Sequence, residues 1–374
     1  MRDGRVAIVG GGLAGFVAYT TLVHGGVAPE SVTVFDPAGP DPAAAWRRRA
    51  GAIRQRQMRS ESDGHCLPTT FPGLAVRAAV RRRSPVPLLR SACDRYRPTV
   101  AEFLEHVEEL RGRSRFDDVV VPRRVERLRA VDGGFTLESG GAIGLGEFRH
   151  VLLAPGHPGL NLPEELAADP RVVHAYEPHD YADDVAIVGA GMAAATEWLN
   201  ALSAGARVTS VRRRDPVRRP LNLPRAFFTR RGLSRLHASA PAERARLLAR
   251  LGEPSYPPGR AWDVALARAE RRGRFRVAAS ANGEAQVICA TGFLRGYRHD
   301  PLLRLLVDDH DLETYERWIV LAPDCTVAAL TDERRTLALA GTASQWAYPG
   351  ADTIVGAKYA ARGFLRRIQS CRTR

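Results

Sequence analysis

The stretch VAIVGGGLAG (Val6–Gly15) lies at the start of the chain, and VAIVGAGMAA (Val185–Ala194) repeats its pattern near the middle. In each stretch a β-branched run leads into a glycine-rich turn, and small residues follow that suit a closely packed helix. The first glycine makes a tight turn, the second lets the backbone approach a pyrophosphate, and the third small residue lets helix and strand pack together. Because a helix N-terminus attracts phosphates, both stretches predict a strand–turn–helix unit that binds a dinucleotide.

The first unit continues into a complete βαβ pattern. A strand over Arg5–Val9 and a helix over Leu13–His24 are followed by a second apolar run. That run, Ser31–Phe35, ends at Asp36, where an acid can accept hydrogen bonds from an adenosine ribose. We therefore predict an FAD site here. Its predicted contacts are Gly10, Gly12, Leu13, Ala14, Gly15 and Asp36.

The second unit ends differently. Its second strand, Ala206–Val211, leads into three arginines instead of an acid. Arginine accommodates the extra 2′-phosphate of NADP, whereas an acid favours NAD. The alternative is that these arginines follow the composition of the whole chain, in which Lys358 is the only lysine. We predict an NADPH site with contacts at Gly189, Gly191, Met192, Ala194, Arg212, Arg213 and Arg214.

Composition limits the other possibilities. The 374 residues are enough for two domains, and 45% hydrophobic with 26% charged residues is ordinary for a globular protein. No apolar stretch is long enough to span a bilayer and no signal segment precedes the first strand, so we expect a cytoplasmic protein without a membrane partner. The five cysteines contain no Cys-x-x-Cys pair, which argues against a metal site or a redox dithiol.

The net charge of +14 could attract phosphates, including nucleic acid. No nucleic-acid recognition motif accompanies the arginine runs, however, so we expect solvated arginine-rich surfaces and no specific nucleic-acid partner. The sequence leaves a homo-oligomer open.

The remaining elements are predicted from local patterns. Residues 41–90 and 220–260 look irregular, and we expect the first of these segments to form a binding loop. Val119–Leu128, Gly134–Glu138 and Phe148–Leu153 are expected to form a small sheet. Helices are predicted from about Pro98, over 261–272, and from Asp352 and Thr353 to about Gln369; two more strands are predicted over Ala285–Cys289 and Leu337–Thr342.

Five features together resemble the NADPH-dependent class B flavin monooxygenases, above all the N-hydroxylating ornithine and lysine enzymes. They are the paired units, Trp46 with Met58-Arg59-Ser60, the Arg97–Phe103 helix start, His174 before the second unit, and the turn Ala290-Thr291-Gly292-Phe293. The Phe-x-Gly that this family has upstream of the second unit is missing. The resemblance implies additional cofactor contacts at Trp46, Met58, Arg59, Thr291, Gly292, Gly341, Asp352 and Thr353.

The fold that follows is α/β with two Rossmann-like dinucleotide-binding domains. Residues 1–177 and 290–374 are expected to form a discontinuous FAD domain, and residues 178–289 an inserted NADPH domain. The family chemistry implies that NADPH reduces FAD, that O₂ adds to the reduced flavin as a C4a-(hydro)peroxide, and that one oxygen passes to a small-molecule amine. The protein supplies alignment and a dry pocket in such chemistry, so few side chains are needed.

Three side chains are the candidate catalytic residues. Arg59 could offset negative charge on reduced flavin or hold NADPH phosphates, or it could be one more surface arginine. Asp63 and His65 could exchange protons with flavin or substrate, or could make ordinary loop hydrogen bonds. His157, after a strand end, could line the flavin cavity or pack in its turn.

The leading hypothesis is an NADPH- and FAD-dependent monooxygenase that N-hydroxylates an amine. The first alternative is an NAD(P)H-dependent flavin oxidoreductase that passes electrons to a quinone or a protein. The second is a non-catalytic flavoprotein that senses redox state.

Overall fold

The computed structural model describes residues 5–60, 65–67, 73–93, 95–141 and 143–372 of the chain. The strands are β1 (Val6–Val9), β2 (Val32–Phe35), β3 (Val120–Val121), β4 (Arg127–Val131), β5 (Gly134–Ser139), β6 (Ile143–Phe148), β7 (His150–Leu153), β8 (Val172–His174), β9 (Asp184–Val188), β10 (Arg207–Val211), β11 (Val217–Arg218), β12 (Ser255–Tyr256), β13 (Phe275–Ala278), β14 (Gln286–Cys289), β15 (Thr314–Tyr315), β16 (Trp318–Ile319) and β17 (Thr336–Leu339).

The α-helices connect these strands and cover the sheets. They are α1 (Leu13–His24), α2 (Ala44–Ala52), α3 (Gly73–Arg82), α4 (Val86–Ala92), α5 (Val100–Ser114), α6 (Glu164–Ala167), α7 (Met192–Ala204), α8 (Arg230–Ala238), α9 (Pro241–Leu251), α10 (Arg260–Arg271), α11 (Pro301–His310) and α12 (Ile354–Arg372). None of the helices in the described ranges is long and apolar enough to cross a membrane.

The first lobe is a parallel five-stranded sheet with the order β17-β7-β1-β2-β3, together with α1, α5 and α12. The central strands β1 and β7 are buried on both faces, as parallel sheets covered by helices require. The C-terminal α12 packs along α1, and at Gly25 an added Cβ would lie only 2.3 Å from Leu365 Cδ2. Elements from both ends of the chain therefore build this lobe.

The second lobe is another parallel five-stranded sheet, with the order β13-β10-β9-β14-β8, and α7 and α10 pack against it. Its core contains the fully buried Trp198 of α7 and the buried Trp262 of α10. The sheet includes β8, which precedes residue 178, and it ends with β14. The domain boundaries at 178 and 289 remain predictions.

Two strands lie outside the small sheet in which we expected them. His150–Leu153 (β7) lies between β1 and β17 in the first sheet, where all four of its residues are buried. Val120–Val121 (β3) pairs with β2 at the edge of the same sheet. The small sheet is instead the antiparallel β4-β5-β6. Its third strand was missed because Ile143–Phe148 is mostly exposed and contains two glycines.

The two segments expected to be irregular are largely helical. Residues 41–90 contain α2, α3 and most of α4, and residues 220–260 contain α8 and α9. These predictions were wrong because the helices are short and rich in arginine, so that their buried faces are small. In α3 that face consists of Leu74, Ala75 and Ala78. In α8 the start is marked by Thr229, whose Oγ1 accepts from Gly232 N at 3.2 Å.

Helix α2 bridges the two lobes. Ala43, at its start, is buried in the core of the first lobe, and Trp46 packs edge-on against Phe103 with ring centroids 4.8 Å apart. At its end, Ile53 is buried in the core of the second lobe beside Trp198. The segment predicted as part of a loop thus contains a helix whose two ends pack into the two different cores.

Candidate functional site

The first glycine turn has the geometry that its sequence predicts. Gly10 has φ +100°, and an added Cβ would lie 2.1 Å from the carbonyl oxygen of Ala154. At Gly15 a Cβ would lie 1.8 Å from the carbonyl oxygen of Gly10, so helix α1 can approach the turn only without a side chain there. Gly12 differs because a Cβ there would meet nothing within 4 Å. The N-terminus of α1 therefore faces open space that a phosphate can enter.

Asp36 is fixed beside this turn. Its Oδ2 accepts from Gly11 N at 2.7 Å and its Oδ1 accepts from Ala38 N at 2.8 Å. Each carboxylate oxygen can accept further hydrogen bonds, and the residue is only half-buried. The carboxylate is thus oriented and still able to accept from ribose hydroxyls.

The C-terminal segment completes the edge of the first site. Gly341 has φ +64°, and an added Cβ would come within 3.4 Å of Ala14 Cβ on the first turn of α1. Thr342 Oγ1 donates to Gly156 O at 2.6 Å. Thr353 caps α12, since its Oγ1 accepts from Gly356 N at 3.1 Å, and Asp352 before it is exposed. The structure therefore brings Gly341 next to the turn that holds Leu13 and Ala14.

The second glycine turn repeats this geometry. Gly189 has φ +130°, and a Cβ there would lie 2.5 Å from the carbonyl oxygen of Ala290. Gly191 faces open space, like Gly12, and Met192 follows it as the first residue of α7. Ala194 is fully buried against the strand, as the third small position requires. A second phosphate can therefore approach the N-terminus of α7.

The three arginines after β10 do not share one environment. The Arg212 side chain is only 17% exposed, lies over the Trp198 ring at 5.6 Å and pairs with Asp215. Arg213 and Arg214 have side chains that are 92% and 86% exposed. Arg212 thus packs against the core, whereas Arg213 and Arg214 lie at the surface, and contact of the three with a nucleotide phosphate remains a prediction.

The Ala290–Phe293 turn follows β14, and hydrogen bonds connect it to Asn161 and to His174 at the end of β8. Gly292 O accepts from Asn161 N at 3.0 Å and lies 3.1 Å from His174 Nε2. Since His174 Nδ1 accepts from Tyr176 N, its Nε2 carries the hydrogen and donates to Gly292. Thr291 Oγ1 donates to Asn161 O. Thr291 and Gly292, predicted as cofactor contacts, thus also hold the connection between the lobes.

An aromatic stack at this connection escaped the sequence analysis. Phe293 lies between His157, with ring centroids 3.9 Å apart, and Tyr176, with centroids 4.9 Å apart. Burial, together with Arg49 and Arg295, lowers the pKa of His157 to about 4, so its imidazole is neutral. His157 thus packs against Phe293, and its place beside the flavin remains a prediction. The aromatic residue two positions after His174 was the available signal for this stack.

Arg59 connects two distant segments. Its guanidinium donates to the carbonyl oxygens of Arg219, Leu221 and Ser255 at 3.0–3.2 Å, and also to Ser255 Oγ. The preceding Met58 is buried in the first core and its N–H donates to Pro98 O. These contacts hold the segment in place, and the catalytic role of Arg59 remains a prediction.

Replacement of Arg59 by methionine should destabilise the protein. It leaves three carbonyl oxygens without their donor, and hydrogen bonds to a charged group contribute about 1.5–3 kcal/mol each. We expect a loss of roughly 2–4 kcal/mol in the free energy of unfolding measured with urea. The same substitution at exposed Arg48 should cost less than about 0.5 kcal/mol. Equal stability of the two variants would contradict this role.

His65 lies in a buried polar cluster. Its Nδ1 accepts from Lys358 Nζ at 3.1 Å, and its ring stacks on His106 with centroids 5.4 Å apart. Burial, with Lys358 and His106, lowers the pKa of His65 to about 3. Such a pKa is far below the range in which a histidine exchanges protons near neutrality. Asp63 lies outside the described residues, so the proton transfer expected of these two residues stays a prediction.

Within the described ranges, no group of three or more histidine, cysteine, aspartate or glutamate side chains could hold a metal ion. The five cysteines are free, and Cys66, Cys289 and Cys325 are buried. Burial raises the pKa of Cys66 to about 12 and that of Cys289 to about 11, so neither is a ready nucleophile.

No protein-family model matches this chain, and no curated protein matches it either. Solved structures do. The ornithine N-hydroxylase from Kutzneria sp. 744 has a TM-score of 0.73 and 15% identity, with coverage of 98% of this chain and 99% of that one. Ornithine hydroxylase from Pseudomonas aeruginosa has a TM-score of 0.67 and 18% identity, covering 97% and 99%.

A reductase has the same architecture. Bacillithiol disulfide reductase from Bacillus cereus matches with a TM-score of 0.58 and 15% identity, covering 98% of this chain and 99% of that one. Likeness over nearly the whole length of all these chains establishes the fold. The chain has an α/β fold with two Rossmann-like parallel sheets, and it shares this fold with the two ornithine hydroxylase structures and with the reductase structure.

Proposed function

We propose that this protein is an FAD- and NADPH-dependent monooxygenase that N-hydroxylates a small-molecule amine. One observation carries the proposal. The chain has two glycine turns with open space at Gly12 and Gly191. In the first unit the second strand is followed by the acidic Asp36, and in the second unit it is followed by the exposed, basic Arg213 and Arg214. Two dinucleotides of different kinds fit these two turns.

The first lobe is the proposed FAD site. The N-terminus of α1 would hold the pyrophosphate at Gly12, and the Asp36 carboxylate would accept from the ribose. Gly341, beside Ala14, and Thr353, at the start of α12, would border the other end of the cofactor. The second lobe would hold NADPH at Gly191, with its 2′-phosphate near Arg213 and Arg214.

When bound, the flavin accepts a hydride from NADPH and activates O₂ for transfer of one oxygen atom. The balanced reaction is R–NH₂ + O₂ + NADPH + H⁺ giving R–NHOH + NADP⁺ + H₂O. The protein's part is to align the two nucleotides across the junction of the lobes and to exclude water there. Support for an amine substrate comes from the Kutzneria structure, which is a complex with reduced FAD, NADP⁺ and L-ornithine.

A flavin oxidoreductase is the second candidate, because the bacillithiol disulfide reductase has the same fold. The five described cysteines include no Cys-x-x-Cys pair, and burial raises the pKa of Cys66 and Cys289, so neither of these two is a ready thiolate for disulfide chemistry. Such an enzyme would pass its electrons to a quinone or protein acceptor instead.

Product analysis separates the two candidates. Purified protein should be yellow, and NADPH should bleach its flavin absorbance without oxygen. With the right amine under ¹⁸O₂, we expect a hydroxylamine that carries one ¹⁸O atom and one NADPH consumed per product. If a panel of amines including ornithine and lysine gives no oxygenated product, while a quinone supports anaerobic turnover, the oxidoreductase candidate replaces our proposal.

A further inference from the structure

The end of α2 makes a polar contact with the second lobe. Ile53 O accepts from Asn200 Nδ2 of α7 at 2.7 Å. Arg54, which follows, donates to Asp180 Oδ1 at 2.8 Å and to His179 O, and its guanidinium lies 5.0 Å from the centre of the Tyr181 ring. The helix that is anchored in the first core at its start is therefore tied to residues 179–181 and to α7 at its end.

A buried carboxylate lies beneath this contact. Glu197 of α7 is fully buried, and its Oε2 accepts from Tyr181 OH at 2.8 Å and lies 3.0 Å from His179 Nε2. A buried carboxylate is costly unless it is paired. Glu197 thus binds the side chains of His179 and Tyr181, and Arg54 contacts the same two residues.

The hydrogen-bond geometry around His179 favours a charged ring. Its Nδ1 lies 2.7 Å from Glu177 O, and its Nε2 faces the Glu197 carboxylate. Both neighbours are acceptors, and only the imidazolium carries a hydrogen on each nitrogen. Burial lowers the pKa of His179, but the hydrogen bonds to Glu197 and to the Glu177 carbonyl outweigh burial and raise it above 6.5. His179 and Glu197 therefore form a buried ion pair.

We propose that Glu197 and the His179 imidazolium are positioning residues that set the orientation of the second lobe against α2. The latch is the network in which Glu197 pairs with His179 and Tyr181, and Arg54 contacts these two residues and Asp180. The role in hydride transfer rests on the proposed function, because the second lobe would deliver nicotinamide to a flavin in the first. A displacement of about 1 Å between reacting groups can cost on the order of 100-fold in rate.

The latch depends on pH in a defined direction. The titratable groups that act on His179 are Glu197, Arg54 and, from its own segment, His174. Burial and Glu197 raise the pKa of Tyr181 well above its ordinary value, so it stays a donor throughout. The ion pair is complete below the ordinary histidine pKa of 6.5 and is lost as the pH rises through the raised value. A rise in pH through that value should therefore loosen α2 from the second lobe.

Hydrogen–deuterium exchange tests the latch without any cofactor. In the full-length protein we expect Glu197→Gln to speed amide exchange at least about tenfold both in residues 176–184 and at the end of α2. The matched control is Glu284→Gln, since Glu284 is also buried in the second lobe and pairs with Arg276, away from α2. Its exchange effect should remain local. If α2 is equally protected in E197Q and E284Q, the proposal is wrong.

Two further measurements separate positioning from simple stability. In flavin-loaded protein, E197Q should slow flavin reduction at saturating NADPH roughly 10- to 100-fold, with an unchanged Kd for NADPH. His179→Gln can donate to Glu197 but cannot titrate. After correction for the intrinsic pH dependence of amide exchange, its α2 protection should therefore no longer fall with rising pH, as the wild type's should. This variant also carries the test if E197Q does not fold. If exchange behaves as expected but NADPH never reduces the flavin, the proposed function fails and the latch stands.

Discussion

Replacement of Gly12 by valine is expected to give a folded protein that no longer binds FAD. Gly12 has φ −63° and ψ −174°, which any residue adopts, and an added Cβ meets nothing within 4 Å. The apoprotein should therefore tolerate the side chain. The valine would, however, occupy the space through which a pyrophosphate reaches the N–H groups at the start of α1.

The size of this effect follows from the lost phosphate contacts. Hydrogen bonds to a charged group contribute about 1.5–3 kcal/mol each, so loss of two raises the Kd for FAD by at least about 100-fold. The flavin absorbance of purified protein and the quenching of FAD fluorescence measure this directly. Circular dichroism and the urea midpoint should match the wild type. A yellow G12V protein would contradict the placement of FAD in the first lobe.

Two other glycines serve as controls. Gly112 lies in α5 and also has open space around its missing side chain, so Gly112→Val should leave FAD bound. Gly15→Val should behave differently from both, because its Cβ would lie 1.8 Å from Gly10 O. That variant is expected to lose stability as well as FAD. The comparison would show that Gly15 is needed for packing of α1 against the turn, whereas Gly12 is needed only for the approach of the cofactor.

Removal of the two exposed arginines is expected to abolish the preference for NADPH. Arg213 and Arg214 stand in solvent at the carboxyl end of β10, where the 2′-phosphate of NADPH would lie. Each charge-assisted contact contributes about 1.5 kcal/mol at such an exposed position, or roughly tenfold. The double variant R213A/R214A should therefore lower kcat/KM for NADPH about 100-fold and leave that for NADH nearly unchanged.

The control for this prediction lies on the same strand. Arg207, at the other end of β10, pairs with Asp184 on the surface, and Arg207→Gln should leave the ratio of NADPH to NADH activity unaltered. Arg212→Met should lower stability, because this side chain packs on Trp198, and should change the ratio little. If R213A/R214A retains the wild-type ratio, the 2′-phosphate is bound elsewhere.

The parts of the fold that the sequence predicted are those in which the backbone conformation or a close approach requires glycine. At Gly10, Gly15 and Gly189 the backbone approaches another chain segment so closely that no other residue fits. Such a requirement leaves its mark directly in the sequence, and so both turns, α1 and the start of α7 were confirmed. The cofactor-binding residues assigned to these two turns remain proposals.

The features that were missed depend on partners far away in the chain. Arg59 finds its acceptors 160 to 196 residues further on, and although the Met58-Arg59-Ser60 segment drew attention to it, nothing near it in the sequence indicates these acceptors. Helix α2 has a similar difficulty, since Trp46 and Ile53 pack into different cores. A nine-residue helix that serves two cores has no single apolar face, and so its periodicity is weak.

The split construction of the first lobe has a consequence for the order of folding. The second sheet uses a continuous stretch of chain, from β8 to β14. The first sheet needs β17 at its edge, and α1 needs α12 as its cover. During synthesis the second lobe can therefore close while the first is still waiting for its final strand and helix. Until these emerge, the apolar face of α1 must remain exposed or be shielded by a chaperone.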